Sequence, residues 1–153
     1  RITSNIRESK GYTYSPGSMV SSRFRDAYWA EFASVTTDVT GPAIKEILFE
    51  INRLQEEAPT EEELQGFKNY LSGTFVLSNS NPGGIINQLA FLNLHGLPDS
   101  YLTEYVKTIH AITPAQVQKM AQTYLRDEDM VIVIAGDRKK IEKQLGSFGK
   151  IVG

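Results

Sequence analysis

The chain contains no cysteine, which excludes a disulfide framework, a thiolate metal site and a cysteine nucleophile and leaves the redox compartment open. Histidine is almost as scarce. His95 and His110 stand fifteen positions apart, neither with a second histidine or a glutamate at ligand spacing. A catalytic zinc needs three protein ligands in a compact arrangement, so no metal is expected on this chain. No apolar run is long enough to span a bilayer. The formal net charge is only −2, with both signs mixed along the sequence, so nothing favours nucleic acid or an anionic membrane as partner. No lysine accompanies Gly83-Gly84 in a strand-to-helix context, which removes a phosphate loop from consideration.

What remains is an ordinary globular composition, 41% hydrophobic and 22% charged, in 153 residues, enough for one domain with a core. The sequence opens inside a helix: Ile2 and Ile6 share a face that has barely begun at Arg1, and the chain reads as a fragment of a longer polypeptide. That helix tail closes near Gly11 in a left-handed turn. Tyr12 to about Ser21 and Arg23 to about Val35 read as an antiparallel strand pair. The second strand carries bulk on both faces and is expected to be covered on two sides.

Thr40-Gly41-Pro42 starts a helix whose Ile44, Ile47, Leu48, Ile51 and Leu54 form one apolar face, ending near Ala58. Thr60 to Glu63 is a capping box for a helix bearing Leu64, Phe67, Leu71 and Phe75. Capping also accounts for the acidic run from Glu56 to Glu63 better than a metal or acid–base cluster does. The run Ser78–Gly84 breaks the chain. A helix at about 84–94 is apolar around much of its girth and is expected to be central. Next come a helix with Leu102, Tyr105, Val106 and Ile109 inward, and a second capping box at Thr113–Gln116. The helix it caps turns Val117, Met120, Ala121, Tyr124 and Leu125 inward. Met130–Ala135 is a continuous apolar run, expected as a buried strand in the middle of a sheet. A last helix runs to about Leu145, and the tail 147–152 is expected to add a short edge segment. Three strands are few against so many apolar helix faces, so a wider sheet is expected, its further strands preceding Arg1.

One chemical feature stands out. Arg7 lies at the helix end and Tyr14 seven positions on in an adjoining strand, so a guanidinium and a phenol can converge on one ligand carbonyl or carboxylate. Alternatively, Arg7 pairs with a carboxylate such as Glu8 and Tyr14 only packs.

Four segments, "NIRESKGYTY", "EEAPTEEELQGFKNYLSGTF", "QLAFLNLHGLPDSYLTEYVKTIHAITPAQVQKMAQTYL" and "MVIVIAGDRKKIEKQLGSFG", resemble in that order the C-terminal domain of M16 (pitrilysin/insulinase-type) peptidases, closest to the bacterial processing-peptidase-like branch. The resemblance covers essentially the whole chain, 1–153, as a single partial domain, the last two-thirds of such a C-terminal domain. It implies an α+β fold, a mostly antiparallel sheet with helices packed on one side. It also implies that zinc is held elsewhere, by an inverted H-x-x-E-H helix and a distal glutamate in an N-terminal domain, in the same polypeptide or a partner subunit. The C-terminal domain closes the chamber and holds the peptide through an arginine and a tyrosine seven residues later. Arg7 and Tyr14 match that spacing, and Tyr12, on the same strand face, is the neighbouring candidate. Both lead residues would donate hydrogen bonds to a substrate carbonyl or to the oxyanion formed from it.

The resemblance therefore implies the non-catalytic half of a zinc metalloendopeptidase, inactive alone. The alternatives are an inactive partner or scaffold subunit, or a general peptide-binding module. The expected partners are the zinc-bearing domain and peptide substrate, with self-association of the fragment through a raw sheet edge. The family points to a periplasmic or secreted setting, with the cytoplasm left open.

Overall fold

Helix α1 (Thr40–Glu56) begins where a 3-10 turn at Thr37–Val39 hands over to it, with Pro42 in the first turn, where a missing N–H costs nothing. In the computed structural model, which describes residues 1–152, this helix belongs to the first of two compact units, residues 1–56 together with those from Ala121 onward; the second is residues 57–120. Ile44, Ile47, Leu48, Ile51 and Leu54 are all buried or half-buried, as their helical spacing requires. Gln144 clamps the helix start: the Gly41 N–H donates to its Oε1 at 2.9 Å, and its Nε2 donates to the Thr37 carbonyl at 2.8 Å. A Cβ on Gly41 would lie 2.7 Å from the Gln144 carbonyl oxygen, so no larger residue fits there.

The opening segment, Thr3–Ser9, is a π-helix rather than an α-helical tail. The Lys10 N–H reaches back to the Asn5 carbonyl at 3.1 Å, the wide register of that helix type. Gly11, at φ 64, ends it, and the Tyr12 N–H closes onto the Ile6 carbonyl at 2.8 Å. Ile6 is wholly buried. Around it a polar girdle ties the segment to α1. Asn5 Nδ2 donates to Glu46 at 3.0 Å and to Glu50 at 2.8 Å, while Lys10 pairs with Glu46 at 3.2 Å. Glu50, itself buried, also takes Arg53 at 3.3 Å. Burial works against the Glu46 carboxylate, but the hydrogen bonds from Asn5 and Lys10 and the charges of Lys10 and Lys45 outweigh it, so its pKa lies below the usual glutamate value.

Strands β1 (Gly17–Arg23) and β2 (Asp26–Phe32) pair antiparallel, Gly17 opposite Phe32 and Arg23 opposite Asp26. The loop Phe24-Arg25 holds Arg25 left-handed at φ 61, its guanidinium 4.8 Å from the Phe24 ring centroid. Both strands are shorter than their sequence pattern suggests. Pro16 cannot donate to a ladder, and pairing resumes only at an isolated bridge between Thr13 and Val35, with Tyr14, Ser15 and Pro16 bulged opposite Ala33 and Ser34. Nor is β2 covered on two sides, since Tyr28 and Phe32 are exposed.

The apolar run Met130–Ala135 departs most from expectation. It follows a 3-10 turn at Asp127–Asp129 and precedes helix α6 (Arg138–Ile141), but it is not a strand, because no described segment pairs with it. Val131 and Val133 are 86% and 87% exposed, so it is not buried mid-sheet either. The tail 147–152 likewise adds no strand.

In the second unit, Thr60 caps α2 (Glu61–Ser78) with the reciprocal box: the Glu63 N–H donates to Thr60 Oγ1 at 3.1 Å and the Thr60 N–H to Glu63 Oε2 at 2.7 Å. Its buried stripe is Leu64, Lys68 and Ser72, while Phe67 and Leu71 are exposed. Ser72 Oγ lies 3.2 Å from His110 Nε2 on α4 (Ser100–Ala111), and Phe75 stacks on Tyr105 at 4.2 Å. These contacts turn α2 away from the face its apolar residues alone would choose. On α4 the inward residues are the expected Leu102, Tyr105, Val106 and Ile109. Helix α3 (Pro82–His95), capped by Asn81, buries only Leu92 and leaves Ile85, Ile86 and Leu89 exposed, so it is not central. Helix α5 (Pro114–Tyr124) opens with the expected Thr113–Gln116 box; Val117 is half-buried and Met120 exposed, and its last turn, from Ala121, belongs to the first unit, with Ala121 buried and Tyr124 exposed. The chain is thus α+β, helical with a small antiparallel sheet. No described helix is long and apolar enough to cross a membrane.

Two outcomes test the packing of the opening segment. Ile6→Ala should lower unfolding free energy by about 2–5 kcal/mol in urea titration. Because the Glu46 pKa is lowered in the folded state, its contribution is complete above the ordinary glutamate pKa of about 4.3 and is lost as pH falls through the folded value. The stability-against-pH curve of Glu46→Gln should therefore lie below that of the wild type at neutral pH and converge with it in acid. A constant gap between the curves down to pH ~2.5 would contradict that linkage.

Candidate functional site

Arg7 is delivered by the last turn of the π-helix and Tyr14 by the bent segment between Gly11 and β1. The π register, the left-handed Gly11 and the Tyr12–Ile6 hydrogen bond set the angle between these two pieces. Thr13 fixes which way the tyrosines face. It is buried, and its hydroxyl donates to the Ser34 carbonyl at 2.8 Å. The chain bends on either side of it, at Tyr12 and at Tyr14. Tyr14 is 82% exposed, and Tyr12 is half-buried.

The Arg7 guanidinium carbon lies 5.1 Å from the centroid of the Tyr14 ring, within cation–π range. The seven-residue spacing therefore does bring the two side chains together. No described carboxylate pairs with Arg7, so the Glu8 ion pair is not the arrangement adopted, and no described group takes the Tyr14 hydroxyl. The planar guanidinium, with five N–H donors, stands beside a phenol O–H, and both are open to a ligand. Tyr12 makes no ring contact or hydrogen bond with either side chain among the described residues. The platform under the pair is rigid: Ile6, one residue before Arg7, is locked in the core, and Lys10, three after it, is ion-paired to α1.

The pair lies outside the main cavity of the first unit, which has a volume of about 590 Å³. That groove runs between Trp29–Val35 on one side and Met130–Gly136 on the other, over the α1 residues Ile44, Ile47, Leu48 and Ile51. Sequence reasoning missed it because it treated Met130–Ala135 as filled-in sheet. Glu31 lines the groove. Its Oε1 is buried without a hydrogen-bond partner, while the Ser18 hydroxyl donates to its Oε2. Burial pushes the Glu31 carboxyl above its usual pKa despite the Ser18 contact.

Neither histidine sits in a ligand set. His95 lies against the Phe91 ring at 4.4 Å, and His110 faces Ser72. Among the described residues, no group of three or more histidine, aspartate or glutamate side chains is placed to hold a metal ion.

No protein-family model matches the chain, and no curated protein matches it. Among solved structures, it is similar to the crystal structure of a peptidase M16 inactive domain from Pseudomonas fluorescens, at a TM-score of 0.73 and 23% sequence identity over 82% of the chain. The chain spans 30% of the length of that structure. Over the matched part, the fold is like that of this M16 inactive domain.

Proposed function

We propose that this chain is the non-catalytic C-terminal part of a bacterial M16-type zinc metalloendopeptidase, which closes the chamber and holds extended peptide for the domain that carries the metal. The observation that carries this reading is the exposed pairing of Arg7 with Tyr14 at 5.1 Å, on a fold shared with an M16 inactive domain. In the proposed complex the Arg7 guanidinium and the Tyr14 hydroxyl donate to a backbone carbonyl of the peptide, with Tyr12 bordering the same face. Each side chain is a hydrogen-bond donor of the kind a peptide carbonyl accepts from. Stacking against the Tyr14 ring restricts the guanidinium before substrate arrives, which lowers the ordering cost of binding.

The reading also explains what the chain lacks. A zinc-bearing N-terminal domain, in the same polypeptide or a partner subunit, would supply the metal. The two units described above would together make up the later part of one C-terminal domain, in a periplasmic or secreted enzyme. With donors open to solvent on one wall only, the pair becomes water-excluded, and so fully effective, only when a second domain closes over it.

The test uses the chain alone and reunited with its zinc-bearing partner. Alone, it should cleave no peptide and bind no stoichiometric zinc. In the reconstituted enzyme, Arg7→Ala or Tyr14→Phe should lower kcat/KM by about ten- to a hundredfold, the worth of a hydrogen bond to a charged or charging group. Chelator-sensitive cleavage by the isolated chain would overturn the non-catalytic assignment. Wild-type rates in both variants would remove the peptide-holding role and favour a scaffold subunit.

A further inference from the structure

Arg7 and Tyr14 meet at the surface, where little holds the phenol directly. The Tyr14 ring is 82% exposed. An exposed side chain changes rotamer within nanoseconds unless its backbone confines it. The 5.1 Å approach of the Arg7 guanidinium to that ring therefore depends on where the backbone places Tyr14.

For Arg7 the anchor is Ile6, wholly buried one residue before it. For Tyr14 the residue in that place is Thr13. It is 7% exposed, forms an isolated antiparallel bridge with Val35, and donates its hydroxyl to the Ser34 carbonyl at 2.8 Å. Consecutive Cα atoms are about 3.8 Å apart, so fixing Thr13 closely confines Tyr14. The acceptor is itself held on both sides. Phe32, two residues before Ser34, pairs with Gly17, and the carbonyl of Thr37, three after it, accepts from Gln144 Nε2 at 2.8 Å. Tyr12 joins the two anchors, since its N–H donates to the Ile6 carbonyl at 2.8 Å. We propose that Thr13 is a positioning residue of this site: its hydroxyl bond to Ser34, rather than a contact of the phenol itself, holds Tyr14 against Arg7. The consequence for turnover rests on the Arg7–Tyr14 reading, whereas the geometry can be tested without it.

Space-filling and positioning make opposite forecasts for this residue. Valine keeps the branched shape of threonine and loses the hydroxyl, and serine keeps the donor and loses the methyl group. If Thr13 only filled space, Thr13→Val would be the milder change; if its bond positions Tyr14, Thr13→Ser is. NMR of the full chain reads the contact, because protons over the face of an aromatic ring are shielded. The Arg7 side-chain protons should be displaced upfield relative to those in Tyr14→Leu, which has no ring. Thr13→Val should lose most of that displacement and Thr13→Ser should keep most of it. Should circular dichroism show that Thr13→Val does not fold, Thr13→Cys takes its place, its thiol being a weaker donor. In the reconstituted enzyme Thr13→Val should lower kcat/KM about tenfold, the worth of one hydrogen bond. It should cost nothing further in a Tyr14→Phe background, because both changes act through the same phenol hydroxyl. No displacement in the wild type, one that survives in Thr13→Val, or one lost equally in Thr13→Ser would overturn the proposal. So would losses that multiply in the double variant. Wild-type turnover in Arg7→Ala and Tyr14→Phe would instead sink the peptide-holding reading, and the positioning of the ring would still stand or fall on the NMR shift.

Discussion

The seating of the opening π-helix on α1 is the constraint from which the candidate site follows. Ile6 is buried completely, and Asn5 bridges two carboxylates of α1 that would otherwise repel, one of them, Glu50, almost without solvent. Lys10 and Arg53 add positive charge at either end of that carboxylate pair. A buried carboxylate is tolerable only when hydrogen bonds and opposite charge replace its water, and here the opening segment supplies much of both. The same contacts that stabilise the helix fix the direction in which Arg7 leaves it. Thr13, tied to Ser34, does the same for Tyr14. Position in the site is thus a by-product of core packing two or three residues away.

The chain divides its polar and apolar roles unevenly. The Arg7–Tyr14 pair is exposed, charged and bare of protein partners, which suits transient contact with a peptide backbone. The groove beside β2 is apolar, floored by α1 and walled by a segment with unmet backbone bonds, which suits permanent filling. The two features lie apart on the first unit and call for different occupants. Glu31, facing that groove with one oxygen unpartnered and its pKa raised by burial, marks a place where the packing lacks a donor.

How legible this was depends on the range of the interactions involved. The two hydroxyl-led capping boxes, Thr60 with Glu63 and Thr113 with Gln116, appear as read, because each is closed within four residues. The inner faces of α1 and α4 also appear as read, since their apolar spacing had no polar competitor. On α2 it did. The contacts of Ser72 with His110 and of Phe75 with Tyr105 turn Lys68 and Ser72 inward and leave Phe67 and Leu71 outside. Apolar periodicity cannot register a serine that gains a partner from a different helix. Helix α3 misled through excess: residues apolar all round imply burial only if neighbours exist to bury them.

By itself the sequence determined the local grammar: where helices start and stop, the left-handed Gly11, and the seven-residue interval between Arg7 and Tyr14. Those properties depend on bonds that span a few residues. Only the tertiary structure decided that guanidinium and phenol meet at 5.1 Å, that the first helix has a π register, and that Met130–Ala135 is not a strand among the described residues. Each of these rests on groups far apart in the chain, and a strand in particular is defined by its neighbour rather than by its own residues.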